Sequence, residues 1–151
     1  VILSQYNSFL VRLFQICIQL YWNRVLERRL YKRGNNFRFH HMLAVLSAHK
    51  FIKPSKIYFW HDMVPTGDYW KELKAKVPEL CLVFRKEPTE IRGRRVQVAE
   101  HITDVVRLEA VMEFGGLYFD LDVMILKPLD PLLKFDVAMG YETPGGVCVM
   151  A

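Results

Sequence analysis

The sequence predicts an α/β domain with a mainly parallel sheet. Short apolar runs typical of strands alternate with longer runs typical of helices, which is the pattern of βα units. The length of 151 residues suits one domain. A content of 52% hydrophobic and 25% charged residues is that of a globular protein. These observations exclude a disordered chain, a collagen-like fibre and a low-complexity linker.

The first apolar run extends from Ser8 to Trp22. Its polar members Arg12, Gln15 and Gln19 are three and four positions apart, so we predict a helix with one polar side. The run is shorter than the about 20 residues that span a bilayer, although the remnant of a signal anchor is an alternative. A basic stretch follows at 24–33 and suits a helix or a juxtamembrane flank.

Gly34, Asn35 and Asn36 then form a break. We therefore expect two parts, an N-terminal helical and basic segment at 1–34 and a folded domain at 35–151. Within the domain, spacing of apolar residues, glycines and prolines predicts the elements in order. They are a helix at 39–49, a strand at 56–60, a helix from an Asp68 N-cap to about 76, a strand at 80–84, a charged loop at 88–95, a helix at 100–114, a strand-like run at 117–126 and a short strand at 137–139.

The net charge of +5 is concentrated in two basic clusters, at 24–33 and 85–95. Both clusters contain acids or turn residues, so we interpret each as a solvated face. Nucleic-acid binding is not expected, because the aromatic residues are predicted to be buried and do not alternate with the bases. Three scattered cysteines predict neither a disulfide framework nor a metal site, and the adjacent His40 and His41 are interpreted as structural or solvated.

The helix at 100–114 carries a polar stripe on an otherwise apolar surface. Glu100, Asp104 and Arg107 are four and three positions apart, hence on one side. Because such a helix is expected to be buried, the stripe faces either a cleft or an internal ion pair between Asp104 and Arg107. The spacing alone does not choose between these two.

The strand-like run that follows places two carboxylates together. In an extended chain Tyr118, Asp120 and Asp122 point to one face. Repulsion and desolvation at the end of an apolar strand raise one carboxyl pKa or require a cation. Oxygen ligands of this kind suit Mg²⁺ or Mn²⁺, which keep positions open for phosphate oxygens. A solvated turn with two acids is the alternative.

Taken together, these residues resemble a known family. A helix with an acid and an arginine, a glycine pair and then Tyr-Phe-Asp-Leu-Asp is similar to the DXD sugar-binding region of family 32 glycosyltransferases, and the wider resemblance covers about residues 36 to 148. Val111 departs from the usual leucine. The matched positions are Asp104, Arg107, Gly115, Gly116, Tyr118, Asp120 and Asp122.

The resemblance implies a GT-A fold, a Rossmann-like α/β/α domain that binds a nucleotide-sugar. It implies a metal-dependent transferase that moves a sugar, expected to come from a UDP-sugar, to a glycan or glycoconjugate hydroxyl with retention. Family analogy also implies the Golgi lumen and a type II membrane anchor. The sequence by itself identifies neither the donor sugar nor the acceptor.

Site residues are carried over by position. The resemblance implies that Asp122 and Asp120 bind Mn²⁺ or Mg²⁺, and that Asp120 also contacts the ribose, the sugar or a metal-bound water. Asp104 and Arg107 are expected to hold hydroxyls of the donor sugar, and Tyr118 to line the nucleotide or phosphate pocket. No catalytic residue is assigned.

Two departures predict an incomplete domain. The family's first strand, with its uracil-stacking aromatic residue, falls where this chain has the non-strand-like stretch 27–34, so we expect that strand to be missing or replaced. Trp60 falls at the second strand position instead. The sequence also ends at Ala151, before the family's acceptor-side segment, and Val149 stands where the family tends to have asparagine.

Two other functions remain open. The run from Phe119 to Val123 resembles the nucleophile motif of haloacid-dehalogenase-type phosphatases, in which Asp120 would attack phosphorus. That interpretation leaves Asp104 and Arg107 unexplained. A catalytically incomplete remnant of a glycosyltransferase is the second alternative.

Overall fold

The computed structural model describes residues 17–22, 36–96, 98–141 and 147–150. Together they form one mixed sheet with helices on both faces and a separate small hairpin. The elements are β1 Cys17–Trp22, α1 Phe39–Ile52, β2 Lys56–His61, α2 Asp68–Lys76, β3 Leu80–Phe84, β4 Glu90–Ile91, β5 Arg94–Arg95, α3 Ala99–Phe114, β6 Leu117–Phe119, a 3-10 turn Asp130–Leu132, β7 Met139–Tyr141 and β8 Val147–Met150.

The six-stranded sheet has the order β3-β2-β1-β6-β8-β7. Its first four strands are parallel, and β8 and β7 join antiparallel at the β6 side. Helices connect the parallel strands, as crossovers in such sheets require. This arrangement confirms the predicted α/β fold class with a mainly parallel sheet.

The helix predicted from Ser8 to Trp22 is wrong at its C-terminal end. Residues 17–22 form β1, which lies in the middle of the sheet between β2 and β6. Ile18 and Leu20 are buried on one side of the strand and Gln19 on the other, which is the alternation of a strand. A short apolar run does not distinguish helix from strand by its period. The first strand, expected to be missing, is therefore present.

The rest of the N-terminal prediction lies outside the described residues. This applies to residues 8–16 of the predicted helix, to the basic stretch 24–33 and to the predicted boundary between residues 34 and 35. In the part of the chain that the structure describes, no helix is both long enough and apolar enough to cross a bilayer.

Two apolar clusters hold the helices against the sheet. On one face, α1 and α2 bury Val45, Trp70 and Leu73 against Phe59 of β2 and Phe119 of β6. On the other face, α3 packs a smaller cluster, which contains Trp60, Val106, Ala110 and Tyr118. Side chains of neighbouring strand residues thus point to opposite faces, and α3 lies over Tyr118.

Several boundaries differ from their predictions. The charged loop predicted at 88–95 contains the hairpin of β4 and β5, which reverses at Arg92 and Gly93. Asp68 is the first residue of α2, and Gly67 occupies the N-cap position. The largest difference is that β6 ends at Phe119, whereas the strand-like run was predicted to continue to residue 126.

Candidate functional site

The candidate site lies where β6 ends beside α3. The carboxyl ends of parallel strands form one edge of the sheet, and α/β proteins bind ligands at that edge. Asp120 follows β6 directly, and a turn begins there with a hydrogen bond from the Val123 N–H to the Asp120 carbonyl oxygen. Asp120 and Asp122 consequently do not share the face of one strand as predicted, because the strand has already ended.

Two glycines let the chain turn from α3 into β6. Gly115 and Gly116 have φ values of 65° and 87°, which L side chains rarely adopt. The N–H of Gly115 bonds to the Val111 carbonyl oxygen and ends the helix. The carbonyl oxygen of Gly115 accepts a hydrogen bond from the Gln19 side chain at 3.1 Å. The helix and the strand that carry the site residues are thus held to β1.

Arg107, Tyr118 and Asp120 form the centre of the site. Arg107 Nη2 lies 3.2 Å from both carboxylate oxygens of Asp120. The Tyr118 hydroxyl donates to Asp120 Oδ1 at 3.0 Å. The guanidinium carbon of Arg107 also lies 4.7 Å from the centroid of the Tyr118 ring, in a cation–π contact. The Arg107 guanidinium and the Tyr118 hydroxyl thereby hold the Asp120 carboxylate in one orientation.

The buried position of these groups changes their pKa values. Burial by itself lowers the pKa of Arg107, but the charges of Asp120 and Asp104 and the interaction with Tyr118 outweigh it, so that the pKa lies above its usual value. Burial and the charge of Asp120 raise the pKa of Tyr118 well above 10. Near neutral pH, the site therefore contains a charged guanidinium and a neutral phenol that donates a hydrogen bond to Asp120.

Asp104 and Asp122 lie toward solvent. Asp104 Oδ1 is 3.8 Å from Arg107 Nη2, and its side chain is 59% exposed against 12% for Arg107. Of the predicted polar stripe, Arg107 is near Asp104 but closer to Asp120, and the side chain of Glu100 lies outside the described residues. The Asp122 side chain is exposed. Burial and the charge of Arg38 lower the pKa of His40, and the charge of Asp122 offsets only part of this effect. The structure thus groups Asp104, Arg107, Tyr118 and Asp120, with Asp122 on the turn that follows Asp120.

Ser47 of α1 and Gln19 of β1 support the site, and the sequence did not indicate either. The buried Ser47 hydroxyl accepts a hydrogen bond from the Ile125 N–H at 2.9 Å and donates one to the Ala44 carbonyl oxygen. This pair fixes the segment that follows Asp122 against α1. The position of Ser47 on the apolar side of a helix could have indicated this role, because a buried hydroxyl needs a hydrogen-bond partner.

The two aspartates have the chemistry of a hard-cation site. Asp120 supplies a carboxylate, whose oxygens are the ligands that a hard cation prefers. Asp122 adds an exposed carboxylate two residues on. Among the described residues no group of three or more His, Cys, Asp or Glu side chains surrounds a common point. The donor set thus fits a cation that takes its other ligands from substrate or water.

Comparison with known proteins identifies the same family that the motif resembles. Residues 39–138 match the family model described as the glycosyltransferase sugar-binding region containing a DXD motif. The chain is also 36% identical over 111 residues to glucan organizing enzyme 1 of Cryptococcus neoformans var. grubii serotype A. That match covers 74% of this chain and 30% of the relative, so the chain spans less than a third of the relative's length.

Solved structures with a partial likeness include the galactosyltransferase LgtC in complex with donor and acceptor sugar analogs. It has a TM-score of 0.46 and 17% sequence identity, over 80% of this chain and 43% of LgtC. An active-site mutant of LgtC has a TM-score of 0.44 and 14% identity, over 80% of this chain and 42% of the mutant.

Proposed function

The chain belongs to the family of glycosyltransferases with a DXD-containing sugar-binding region, and from that membership we propose that it binds a UDP-sugar with a divalent cation and transfers the sugar to a glycan or glycoconjugate hydroxyl. The observation that carries the proposal is the Arg107–Tyr118–Asp120 cluster at the carboxyl end of β6, with Asp122 on the next turn. These are the residues of the family motif.

The cation of this proposal, Mn²⁺ or Mg²⁺, is bound by Asp122 and Asp120. When bound, it neutralises the negative charge that develops on the departing diphosphate. The hydrogen bonds from Arg107 and Tyr118 keep the Asp120 carboxylate in place, so little reorganisation is needed when the donor arrives. In this proposal Asp120 also contacts the ribose, the sugar or a metal-bound water.

The donor sugar is held by Asp104 and Arg107. Arg107 carries a planar guanidinium group, which in this proposal donates to sugar hydroxyls or phosphate oxygens of the donor. Asp104 is half-exposed beside it and offers acceptor oxygens to hydroxyl donors. Tyr118 completes the wall of the nucleotide or phosphate pocket. Transfer occurs with retention, since the acceptor hydroxyl attacks from the face that the diphosphate leaves.

The phosphatase alternative has less support. It requires Asp120 as a free nucleophile, whereas Arg107 and Tyr118 both engage that carboxylate. It also gives no role to Asp104 and Arg107, which both belong to the family motif.

A thermal-shift titration tests the proposal. We expect a UDP-sugar with Mn²⁺ to raise the Tm of the protein, and EDTA to remove the rise. Asp122→Asn should abolish the shift, whereas the control Asp68→Asn, at an exposed aspartate at the start of α2, should retain it. No rise with any UDP-sugar, or an equal rise in EDTA, contradicts the proposed donor site.

A second readout separates binding from transfer. Release of UDP in the presence of glycan acceptors measures transfer, and the anomeric configuration of the product by NMR measures retention. Donor binding without UDP release supports the alternative of a catalytically incomplete glycosyltransferase.

We propose the Golgi lumen as the location, with a type II anchor N-terminal to β1. Since Cys17–Trp22 form the central strand, the anchor in this proposal does not include them. Protease protection of a tagged chain in intact vesicles tests the assignment, and digestion without detergent contradicts it.

A further inference from the structure

A basic cavity lies at the start of α3, apart from the Asp120 cluster. It has a volume of about 730 Å³, which is within the range of cavities that hold small molecules. The hairpin of β4 and β5 forms one side, and the first turns of α3 form the other. Its lining residues are Ile91, Arg92, Arg94, Arg95, Val96, Val98 and His101.

Arginine side chains dominate the charge of the cavity lining. In the ranges that the structure describes, no carboxylate forms an ion pair with Arg92, Arg94 or Arg95. Glu90 stands opposite Arg95 in the hairpin register but does not line the cavity. Three exposed guanidinium groups around one hollow attract a multiply charged oxyanion, and planar guanidinium groups bind phosphate oxygens in pairs.

The hairpin turn places one of these arginines under backbone strain. Arg92 and Gly93 are the two central residues of the turn, with φ values of 50° and 76°. Glycine and asparagine are the residues favoured where both central φ values are positive, whereas arginine is disfavoured there. The turn thus holds a cationic side chain at the cavity at the expense of local stability.

One helix links the cavity to the proposed donor site. His101 lines the cavity, and Asp104 is one turn further along α3, next to Arg107. At a rise of 1.5 Å per residue, Arg107 is about 9 Å along the helix axis from His101. The cavity and the residues of the proposed donor site are thus carried by the same helix.

We propose that this cavity, lined by Arg92, Arg94, Arg95 and His101, binds the phosphate group of an anionic acceptor sugar. The role of the bound sugar as an acceptor rests on the proposed function. The binding of its phosphate group rests on the cavity and its arginines. The ligand class is a phosphate monoester on a saccharide. Free inorganic phosphate offers the same oxyanion without the sugar.

Calorimetric titration of the full chain tests this assignment. The titrations use glucose 6-phosphate, glucose and inorganic phosphate, in buffer with EDTA so that no divalent cation is available to the donor site. We expect glucose 6-phosphate to bind at least about tenfold more tightly than glucose, because only the phosphate pairs with the arginines. Inorganic phosphate should bind more weakly than glucose 6-phosphate, because it leaves most of the cavity unfilled.

Charge variants locate the binding. The double variant Arg94→Gln/Arg95→Gln should weaken glucose 6-phosphate binding about tenfold or more. The control Lys50→Gln/Lys56→Gln removes the same charge from exposed residues near the opposite edge of the sheet, and should leave the affinity unchanged.

Each contrary result overturns the assignment. No measurable binding of glucose 6-phosphate does so, as does equal affinity for glucose or an equal loss in the lysine control. Equal affinity for inorganic phosphate overturns the saccharide part and leaves a site for the free ion. Failure of the proposed function would be seen in a different experiment. In that case UDP-sugar with Mn²⁺ would give no rise in the Tm of the unaltered chain, whatever the cavity binds.

Discussion

The side-chain amide of Gln19 donates a hydrogen bond to the carbonyl oxygen of Gly115 at 3.1 Å, although the residues are 96 positions apart. The Gln19 side-chain oxygen accepts a second hydrogen bond, from the indole N–H of Trp60 at 2.8 Å. Gln19 is fully buried, its bond to Trp60 is buried as well, and its bond to Gly115 is partly buried. One side chain of the central strand therefore fixes the turn from which the Asp120 segment starts.

Replacement of Gln19 should be costly because its partner Trp60 is buried. In Gln19→Leu the indole N–H of Trp60 and the Gly115 carbonyl oxygen lose their partner. We expect the free energy of unfolding to fall by about 2 kcal/mol or more. That corresponds to a fall of roughly 4–8 °C in Tm for a chain of this size.

A double-mutant cycle distinguishes the lost hydrogen bond from a change in packing. Trp60→Phe removes the indole donor, so the pair Gln19→Leu/Trp60→Phe should be more stable than the sum of the single changes predicts. Additive losses in the cycle would show that the Gln19–Trp60 bond does not stabilise the fold.

Loss of the Arg107 side chain should cost more stability than loss of its exposed contact with Asp104. Arg107→Gln removes charge-assisted bonds to Asp120 at 3.2 Å, and we expect a loss of about 2 kcal/mol in the free energy of unfolding. Asp104→Asn removes only an exposed contact at 3.8 Å and should cost less than about 0.5 kcal/mol. Urea unfolding measures both, and equal losses would contradict the geometry of the site.

The Tyr118 hydroxyl should contribute to stability through Asp120. In Tyr118→Phe the ring keeps its contact with Arg107, whereas the 3.0 Å bond to the carboxylate is lost. We expect the free energy of unfolding to fall by about 1–2 kcal/mol. Because the pKa of Tyr118 lies well above 10, the variant should leave the tyrosinate absorbance of the folded protein near pH 10 unchanged. A fall in that absorbance would show that Tyr118 ionises there.

Stability should decrease on acidification because of His41. Burial, with the charges of His40 and Arg38, lowers the pKa of His41 from 6.5 to about 3. Its Nδ1 accepts a hydrogen bond from the Arg38 N–H, which a protonated ring nitrogen does not allow. The unfolded chain binds a proton near pH 6.5 and the folded chain only near pH 3, so stability is lost between these values as the pH falls, by at most about 1.4 kcal/mol per pH unit.

The variant His41→Gln tests this pH dependence. It should reduce the slope of the free energy of unfolding against pH between about 6.5 and 4. Some slope should remain, because burial also lowers the pKa of His40 and His61. An unchanged slope would show that His41 is not the group responsible.

The elements that the sequence predicted well are those with a strong local pattern. The strand at Leu80–Phe84 was predicted with its bounds, and α3 was predicted to within one residue at its start. Gly115 and Gly116 ended that helix as expected, because their positive φ values are a local property of glycine. The motif residues from Asp104 to Asp122 identified the family, because their spacing is also a local property of the sequence.

The strand at Cys17–Trp22 shows what local patterns miss. Gln19 was assigned to the polar side of a helix with Arg12 and Gln15, but it is buried in the central strand. Its polarity is satisfied by Trp60 and Gly115, which are distant in sequence. The period of a short apolar run does not reveal such partners, and a strand forms only when neighbouring strands supply its hydrogen bonds.

The sequence by itself determined the α/β class, the helix with its glycine pair and the family motif, because all three follow from the order and spacing of nearby residues. Only the tertiary structure decided that Arg107 pairs more closely with Asp120 than with Asp104, and that three arginines and a histidine surround one cavity. The physical reason is that these contacts depend on how α3 packs over the sheet and beside the hairpin. That packing is fixed by burial of side chains from β2 and β6 against the helix, and no short stretch of sequence contains all of them.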